Sequence, residues 1–207
     1  MQLLWHIIKK SVTDLWDEML LLVLFNVIWV IGAALLIPLP LVTFGLVFIA
    51  HDVAAGRGIK FGRFWGYARR YWKEAYIWGL FNGAVLGVFA FNIAFYGGLA
   101  ASWATLAQAV FLALTMLWLV WQLVVVTLYP RLVEPRFKLA GQNAAILIGK
   151  NPVIVLLVTL VVAVLLVVTA FAPALGLGVT VSLIVLLVTN TVDMLLKKEL
   201  PPPENKL

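Results

Sequence analysis

The sequence predicts an all-α protein, a polytopic helix bundle that lies in a membrane. Three observations predict it: 64% of the residues are hydrophobic, only 12% are charged, and the mean hydropathy is +1.08. A soluble domain is about half apolar and about one quarter charged. A globule of 207 residues cannot hide this apolar excess in its interior, so lipid must surround much of the surface.

Six apolar runs are predicted to be membrane segments of one domain that covers residues 19–196. They lie at about 19–37, 41–55, 75–96, 103–129, 152–171 and 174–196. A helix needs about 20 residues to cross a hydrocarbon core of roughly 30 Å, and the second run is short by this measure. We expect the second run to be either a tilted short span or a half-helix packed against its neighbours.

The basic residues predict the topology of these segments. All 15 Lys and Arg residues lie before the first run, between the second and third, between the fourth and fifth, or after the sixth. Lys and Arg concentrate in cytoplasmic loops, so both termini are predicted to be cytoplasmic and the membrane to be the inner (cytoplasmic) membrane of the cell. The alternative is five spans, with one first helix kinked at Pro38 and Pro40. It would place the most basic loop outside the cell.

Amphipathic segments flank these runs. In residues 58–74, GIKFGRFWGYARRYWKE, aromatic side chains fall on one side of a helical wheel and basic ones on the other. This pattern predicts an in-plane helix that holds anionic lipid headgroups. Binding of nucleic acid is disfavoured, because lipid or neighbouring helices would cover the aromatic face. The predicted headgroup contacts are Lys60, Arg63, Arg69, Arg70 and Lys73.

Three further segments complete the predicted organisation. Residues 1–18 are expected to form an N-terminal interfacial helix. Its apolar stripe consists of Leu4, Trp5, Ile8, Val12, Leu15 and Trp16. The loop 135–151 is expected to hold a short helix that ends before Asn151 and Pro152. Residues 197–207 are polar and Pro-rich, so a disordered cytoplasmic tail is expected there.

Three stretches resemble the YesL-like family of small bacterial integral membrane proteins of unknown function. They are IPLPLVTFGL, GRGIKFGRFWGYARRYWKEA and QNAAILIGKNPVIVLLV, and the resemblance extends over nearly the whole chain. It implies a polytopic membrane protein of a kind often linked to carbohydrate uptake. It implies no catalytic residue.

Small residues recur at helical spacing on the third run. Ala75, Gly79, Gly83 and Gly87 lie four residues apart, and such stripes let helix backbones approach closely in a membrane. Packing within the chain is the first interpretation, and a homodimer interface is the alternative. On the first interpretation, Gly83→Leu is predicted to destabilise the protein.

Uncharged polar side chains inside the apolar runs need hydrogen-bond partners, because hydrocarbon offers none. They are Asn26, Asn82, Asn92, Gln108, Gln122 and Asn190. Bonds between helices would satisfy them. A polar path for a solute is the alternative, and Asn26, Asn82, Asn92 and Gln122 are its candidate residues.

Three ionisable residues near the ends of the runs are candidates for a proton or cation relay. They are His51, Asp52 and Asp193. Simple ion pairs are the competing explanation, with Arg57 as a partner for Asp52 and Lys197, four residues on, as the partner for Asp193.

The sequence contains few residues and no motif typical of a catalytic site. The chain has no cysteine and two histidines, His6 and His51, and it contains no HExxH, GxSxG or P-loop motif. We therefore expect no enzyme, no metal and no cofactor. The first functional hypothesis is an accessory or scaffold subunit of a membrane assembly, such as a solute uptake system. The second is a stand-alone, dimeric transporter or channel, and the third is a membrane enzyme.

Overall fold

The computed structural model describes residues 2–199, and within this range the chain is helical without strands. The helices are α1 (Gln2–Asp17), α2 (Met19–Leu35), α3 (Leu39–Ala54), α4 (Phe61–Arg70), α5 (Trp72–Gly97), α6 (Ser102–Leu128), α7 (Phe137–Lys150), α8 (Pro152–Phe171), α9 (Pro173–Leu175) and α10 (Val181–Glu199). A 3-10 turn, Tyr129–Arg131, follows α6. A π-helical turn, Gly176–Thr180, joins α9 to α10, so that Pro173–Glu199 runs as one helix.

Four helices are long and apolar enough to cross a membrane. They are α5, α6 with its 3-10 turn, α8 and the continuous helix Pro173–Glu199. A fifth would be added if α1 and α2 formed one span, and these two are bent by 94°. The predicted helical membrane bundle is therefore confirmed in this coarser form. The count of six stays a prediction, since α2 and α3 have 17 and 16 residues and about 20 are needed.

The first helix packs on α10 through a face other than its apolar stripe. Ile7 and Ser11 are completely buried, and the amide of Asn190 donates to the Ser11 hydroxyl at 3.0 Å. Trp5 and Trp16, which belong to the predicted stripe, are 68% and 73% exposed, whereas Leu15 of the same stripe is partly buried against the core. The two tryptophans therefore point away from the protein, as expected of an interfacial helix.

The second and third helices form an antiparallel hairpin. The chain reverses after Leu36, which has a positive φ of 60°, and Pro38 and Pro40 begin α3, where the missing N–H groups of proline cost nothing. The indole N–H of Trp29 donates to the hydroxyl of Thr43 at 2.9 Å. The two helices are therefore joined side by side near the tip.

The shortest apolar helix, α3, lies at the centre of the bundle. It contacts α2, α4, α5, α6 and α10, and ten of its residues are buried. The structure shows that this short helix packs against its neighbours, and its two interpretations, a tilted short span or a half-helix, both stay predictions. Its burial comes from neighbouring helices on all sides, which explains why it is apolar all round.

The amphipathic helix α4 lies against the α2–α3 hairpin. Phe64 is fully buried, stacks on Phe25 with ring centroids 4.6 Å apart, and fills the space over Gly45. The predicted helix is thus present, and neighbouring helices cover part of its aromatic face. Its basic residues are exposed.

The fifth and sixth helices form a long hairpin that leaves the bundle. Beyond Gly79, which lies against Pro40 at the tip of α2–α3, the hairpin packs mainly on itself. Ala104 is the only buried residue between positions 83 and 112. We call residues 83–112 the distal hairpin.

The C-terminal ends of α7 and α10 are in contact with each other. Pro152 begins α8 directly after Asn151, and Lys150 binds Glu199 at 2.8 Å. The tail predicted at 197–207 is still helical up to Glu199. The remainder of that prediction lies outside the described residues.

Candidate functional site

The carboxylate of Asp52 is held in an ion pair at the end of α3. Its side chain is 4% exposed, and it accepts hydrogen bonds from Arg57 Nε at 2.9 Å and from the Tyr67 hydroxyl at 2.7 Å. Arg63 approaches at 3.6 Å. Gly56, with φ of 68°, turns the chain so that Arg57 can fold back. The Arg57 partner expected from the sequence is present.

The carboxylate of Asp193 has a different partner from the one expected. The sequence favoured Lys197, but Arg131 Nε lies 2.7 Å from Asp193 Oδ1. The guanidinium also donates to the backbone carbonyl of Thr127 and, at 3.2 Å, to that of Thr189. The reason is that the 3-10 turn after α6 directs Arg131 toward α10. This ion pair joins α6 to α10 and is not local to one helix.

His51 lies between these two ion pairs. It is within electrostatic range of Asp52, Arg57, Arg131 and Asp193, so the three residues of the hypothetical relay share one region. Its Nδ1 atom is buried and has no hydrogen-bond partner in the described chain. Both carboxylates are already paired with arginines, so proton transfer through them would first have to break an ion pair.

Asn26 bridges α2 to the π-helical turn. Its amide nitrogen donates to the carbonyls of Gly176 and Leu177 at 2.7 and 2.8 Å. Its amide oxygen accepts from the backbone nitrogens of Val181 and Ser182 at 2.9 and 3.0 Å. A π-turn disturbs the regular i→i−4 bonding of a helix, and the Asn26 side chain satisfies the groups that are released.

Asn82 and Gln122 belong to a second network, between α5 and α6. The Gln122 amide oxygen accepts from Trp78 Nε1 at 2.9 Å and from the Asn82 amide at 3.4 Å. The Asn82 oxygen accepts from Trp118 Nε1 at 2.9 Å. Because each oxygen bonds within the hairpin, this pair does not meet Asn26, which bonds the π-helical turn and the start of α10.

The other polar residues are bonded locally or across neighbouring helices. Asn92 donates to Val88 O of its own helix at 2.8 Å, and Gln108 donates to Ile93 O across the hairpin at 3.2 Å. Asn190 bonds α1. The structure therefore places the candidate solute-path residues in separate networks.

The stripe of small residues divides into two parts. Ala75 is fully buried, and a Cβ at Gly79 would overlap the ring of Pro40. A Cβ at Gly83 or Gly87 would meet nothing within 4 Å. Packing within the chain thus ends at Gly79, and the prediction that Gly83→Leu would disturb it has no steric basis within the chain.

The basic side chains of the α4 region have mixed surroundings. Arg63 turns inward to Gly58 O and Asp52, and Lys73 lies over the ring of Trp72 at 5.6 Å. The predicted headgroup contacts Lys60, Arg69 and Arg70 are exposed. Burial and the hydrogen bond to Asp52 raise the pKa of the Tyr67 hydroxyl in this helix.

The described part of the chain has an apolar cavity and a smaller polar one. A cavity of about 480 Å³ between α6, α8 and α10 is lined almost wholly by apolar side chains. A smaller one, of about 180 Å³, lies beside Asp14, Asp17, Glu18 and Arg57. Within residues 2–199 no three His, Asp or Glu side chains converge as metal ligands.

Sequence reasoning missed Arg131, Tyr67 and the indoles of Trp78 and Trp118. Arg131 follows an apolar run, at a helix end where the partly buried carboxylate of Asp193 is within reach of a long side chain. Tyr67 was missed because it falls between Arg63 and Lys60 on the helical wheel, in the basic sector of α4. The indole N–H groups lie one turn from Asn82 and Gln122, a spacing that could have suggested them.

Comparisons with known proteins add no relative. The chain matches no protein-family model, no curated protein and no solved structure. The resemblance to the YesL-like family therefore stays a prediction.

Proposed function

We propose that this protein is an accessory or scaffold subunit of a membrane assembly and has no catalytic activity of its own. In this proposal six segments lie in the bacterial inner membrane, and both termini and the helices α4 and α7 face the cytoplasm. The resemblance seen in the sequence links such proteins to carbohydrate uptake, and we extend the proposal to an assembly that takes up a solute.

One observation carries the proposal: the polar side chains that could have lined a solute path are engaged in bonds within the chain. Asn26 makes four of them, and Asn82 and Gln122 bond each other and two tryptophans. The large cavity is apolar and includes none of the three. An arrangement of this kind serves rigidity better than passage of a polar solute.

The distal hairpin supports a role in assembly. It exposes large apolar side chains such as Phe91, at 69%, and Leu106, at 69%. Gly83 and Gly87 leave a shallow face on α5 with nothing opposite them. Small residues in membrane helices are typical of close helix–helix contacts, and here the contacting helix would have to come from another chain.

The sequence contains no cysteine, so a single introduced cysteine can be labelled selectively to test this proposal. Gly87→Cys would carry a photo-activated cross-linker on the distal hairpin. Val164→Cys, on α8 and 54% exposed, is the matched control on another lipid-facing surface. After irradiation of native membranes, the products are purified in mild detergent and weighed by native mass spectrometry.

We expect a cross-linked heteromer of one reproducible mass from Gly87→Cys and none from Val164→Cys. Lipid adducts alone at both positions would contradict the proposal. A homodimer without another subunit would instead favour a stand-alone transporter, and solute uptake into proteoliposomes would then be measured.

A further inference from the structure

An apolar groove runs along the side of the bundle between α6 and α8, with α10 as its floor. Its volume of about 480 Å³ lies within the range of roughly 300–1,000 Å³ usual for ligand pockets. Its rim residues Met116, Leu119 and Leu166 are 58%, 39% and 54% exposed. The groove is therefore open to whatever surrounds the bundle.

The few polar side chains in the groove have no free donor. The indole N–H of Trp29 donates to Thr43 at 2.9 Å. The hydroxyls of Thr43, Thr159 and Thr191 each donate to a backbone carbonyl of their own helix. A polar ligand would lose its water without gaining bonds, whereas a hydrocarbon chain fits this surface.

One end of the groove is basic. Leu147 of α7 and Leu195 of α10 line that end, and Lys150 and Lys198 each follow three residues later. Three residues is close to one helical turn, so both lysines lie on the groove side of their helices. Lys197 is adjacent and exposed.

Both lysines are held in place, and only Lys150 has a carboxylate as its partner. Lys150 binds Glu199 at 2.8 Å, and Lys198 donates to the uncharged amide of Asn151 at 3.3 Å. With Lys197, three positive charges stand near the single carboxylate of Glu199 within the described residues. An excess of positive charge therefore remains where the apolar groove ends.

We propose that the groove binds an anionic phospholipid, with one acyl chain between α6 and α8 and its phosphate at Lys150 and Lys198. The groove follows α10 from Val181 to Leu195, which is about 21 Å at the α-helical rise. One leaflet of hydrocarbon is about 15 Å thick, half of a core of roughly 30 Å. A chain that enters from the basic end therefore fits along the groove.

The test is lipid binding to the delipidated, full-length protein, followed by native mass spectrometry. Phosphatidylglycerol is compared with phosphatidylcholine of the same acyl chains. We expect phosphatidylglycerol to bind about tenfold or more tightly. The double variant Lys150→Gln/Lys198→Gln should lose this preference, and Lys138→Gln, an exposed lysine on α7 away from the groove, should keep it.

A second pair of variants tests the acyl-chain position. Ala163→Phe fills the groove and should weaken both lipids, whereas Ala170→Phe, on the same helix outside the groove, should not. Equal affinity of the natural protein for both lipids would overturn the proposal. So would equal effects of the two phenylalanine variants, or displacement of phosphatidylglycerol by millimolar inorganic phosphate. Melting temperatures of all variants verify that they are folded.

Discussion

The bundle around α3 and the distal hairpin are equally apolar, yet they are packed in opposite ways. In the bundle, α3 has neighbours on all sides, and glycines such as Gly32 and Gly45 lie against Val42 and Phe64. In the distal hairpin Ala104 is the only buried residue, and a Cβ added at Gly83 or Gly87 would meet nothing within 4 Å. Hydrophobicity alone does not bring helices together in lipid, because lipid is equally apolar.

Polar bonds between helices account for the difference. Asn26, Asn190 and Arg131 each bond a helix other than their own, and all three hold α10. In the distal hairpin the polar bonds of Asn92 and Gln108 stay within α5 and α6. That hairpin is therefore held together and yet left free on its outer faces.

Among the substitutions that test this comparison, Asn26→Leu should cause the largest loss in the free energy of unfolding. It would remove four hydrogen bonds, two to carbonyls of the π-turn and two from amides at the start of α10, and we expect a loss of about 2–4 kcal/mol in the free energy of unfolding. The measurement is unfolding in mixed detergent micelles. Asn92→Leu is the control, since its amide bonds only its own helix, and a change below about 0.5 kcal/mol is expected. Equal losses would contradict the structural role of Asn26.

Asp193→Asn should cause the second largest loss in the free energy of unfolding. Arg131 and Asp193 are only 9% and 24% exposed, so removing one charge should cost about 2 kcal/mol, less than for a fully buried pair. Glu134→Gln breaks the pair with Arg136, in which both side chains are more than 70% exposed, and should change stability by less than about 0.5 kcal/mol. Both variants are compared with the natural protein by the same unfolding measurement in mixed detergent micelles. A loss equal to that of Glu134→Gln would show that the α6–α10 ion pair does not hold the bundle.

Alanine substitutions in the two parts of the glycine stripe should change the stability of the protein in different directions. Gly79→Ala should destabilise the protein by about 1–2 kcal/mol because its Cβ overlaps Pro40. Gly83→Ala should be neutral or up to about 1 kcal/mol stabilising, since alanine favours the helix and nothing opposes its Cβ. Thermal melting of the purified monomer is the measurement. Destabilisation by Gly83→Ala would mean that another surface covers this face.

The smallest expected effect is that of Tyr67→Phe, which removes one of the hydrogen bonds of Asp52 and should cost about 1 kcal/mol. Because the pKa of Tyr67 is raised in the folded protein, its contribution is present below the unfolded pKa of about 10. It is lost as the pH rises through the folded pKa. Melting curves recorded across the alkaline range should therefore show the advantage of the natural protein declining above about pH 10. An advantage that does not change with pH above this point would contradict this account.

Much of the architecture follows from local patterns of the chain. The predicted run 152–171 coincides with α8, and α5, α6 and Pro173–Glu199 extend their predicted runs by one to three residues at each end, except that α6 itself ends at Leu128. The wheel of residues 58–74 predicted α4. The Asn151-Pro152 step marked the boundary between α7 and α8 because proline is tolerated at a helix start.

The composition and periodicity by themselves determined that the chain is helical, where its helices lie and that several of them are apolar enough to cross a membrane. Only the tertiary structure decided that Asp193 pairs with Arg131, that Asn26 holds a π-turn 150 residues away, and that the glycine stripe divides at Gly79. The physical reason is the distance along the sequence over which each signal acts, because hydropathy and helix signals are encoded within a few helical turns. The partner of a polar or small residue depends on which distant helix lies beside it, and apolar runs of similar composition do not specify that choice.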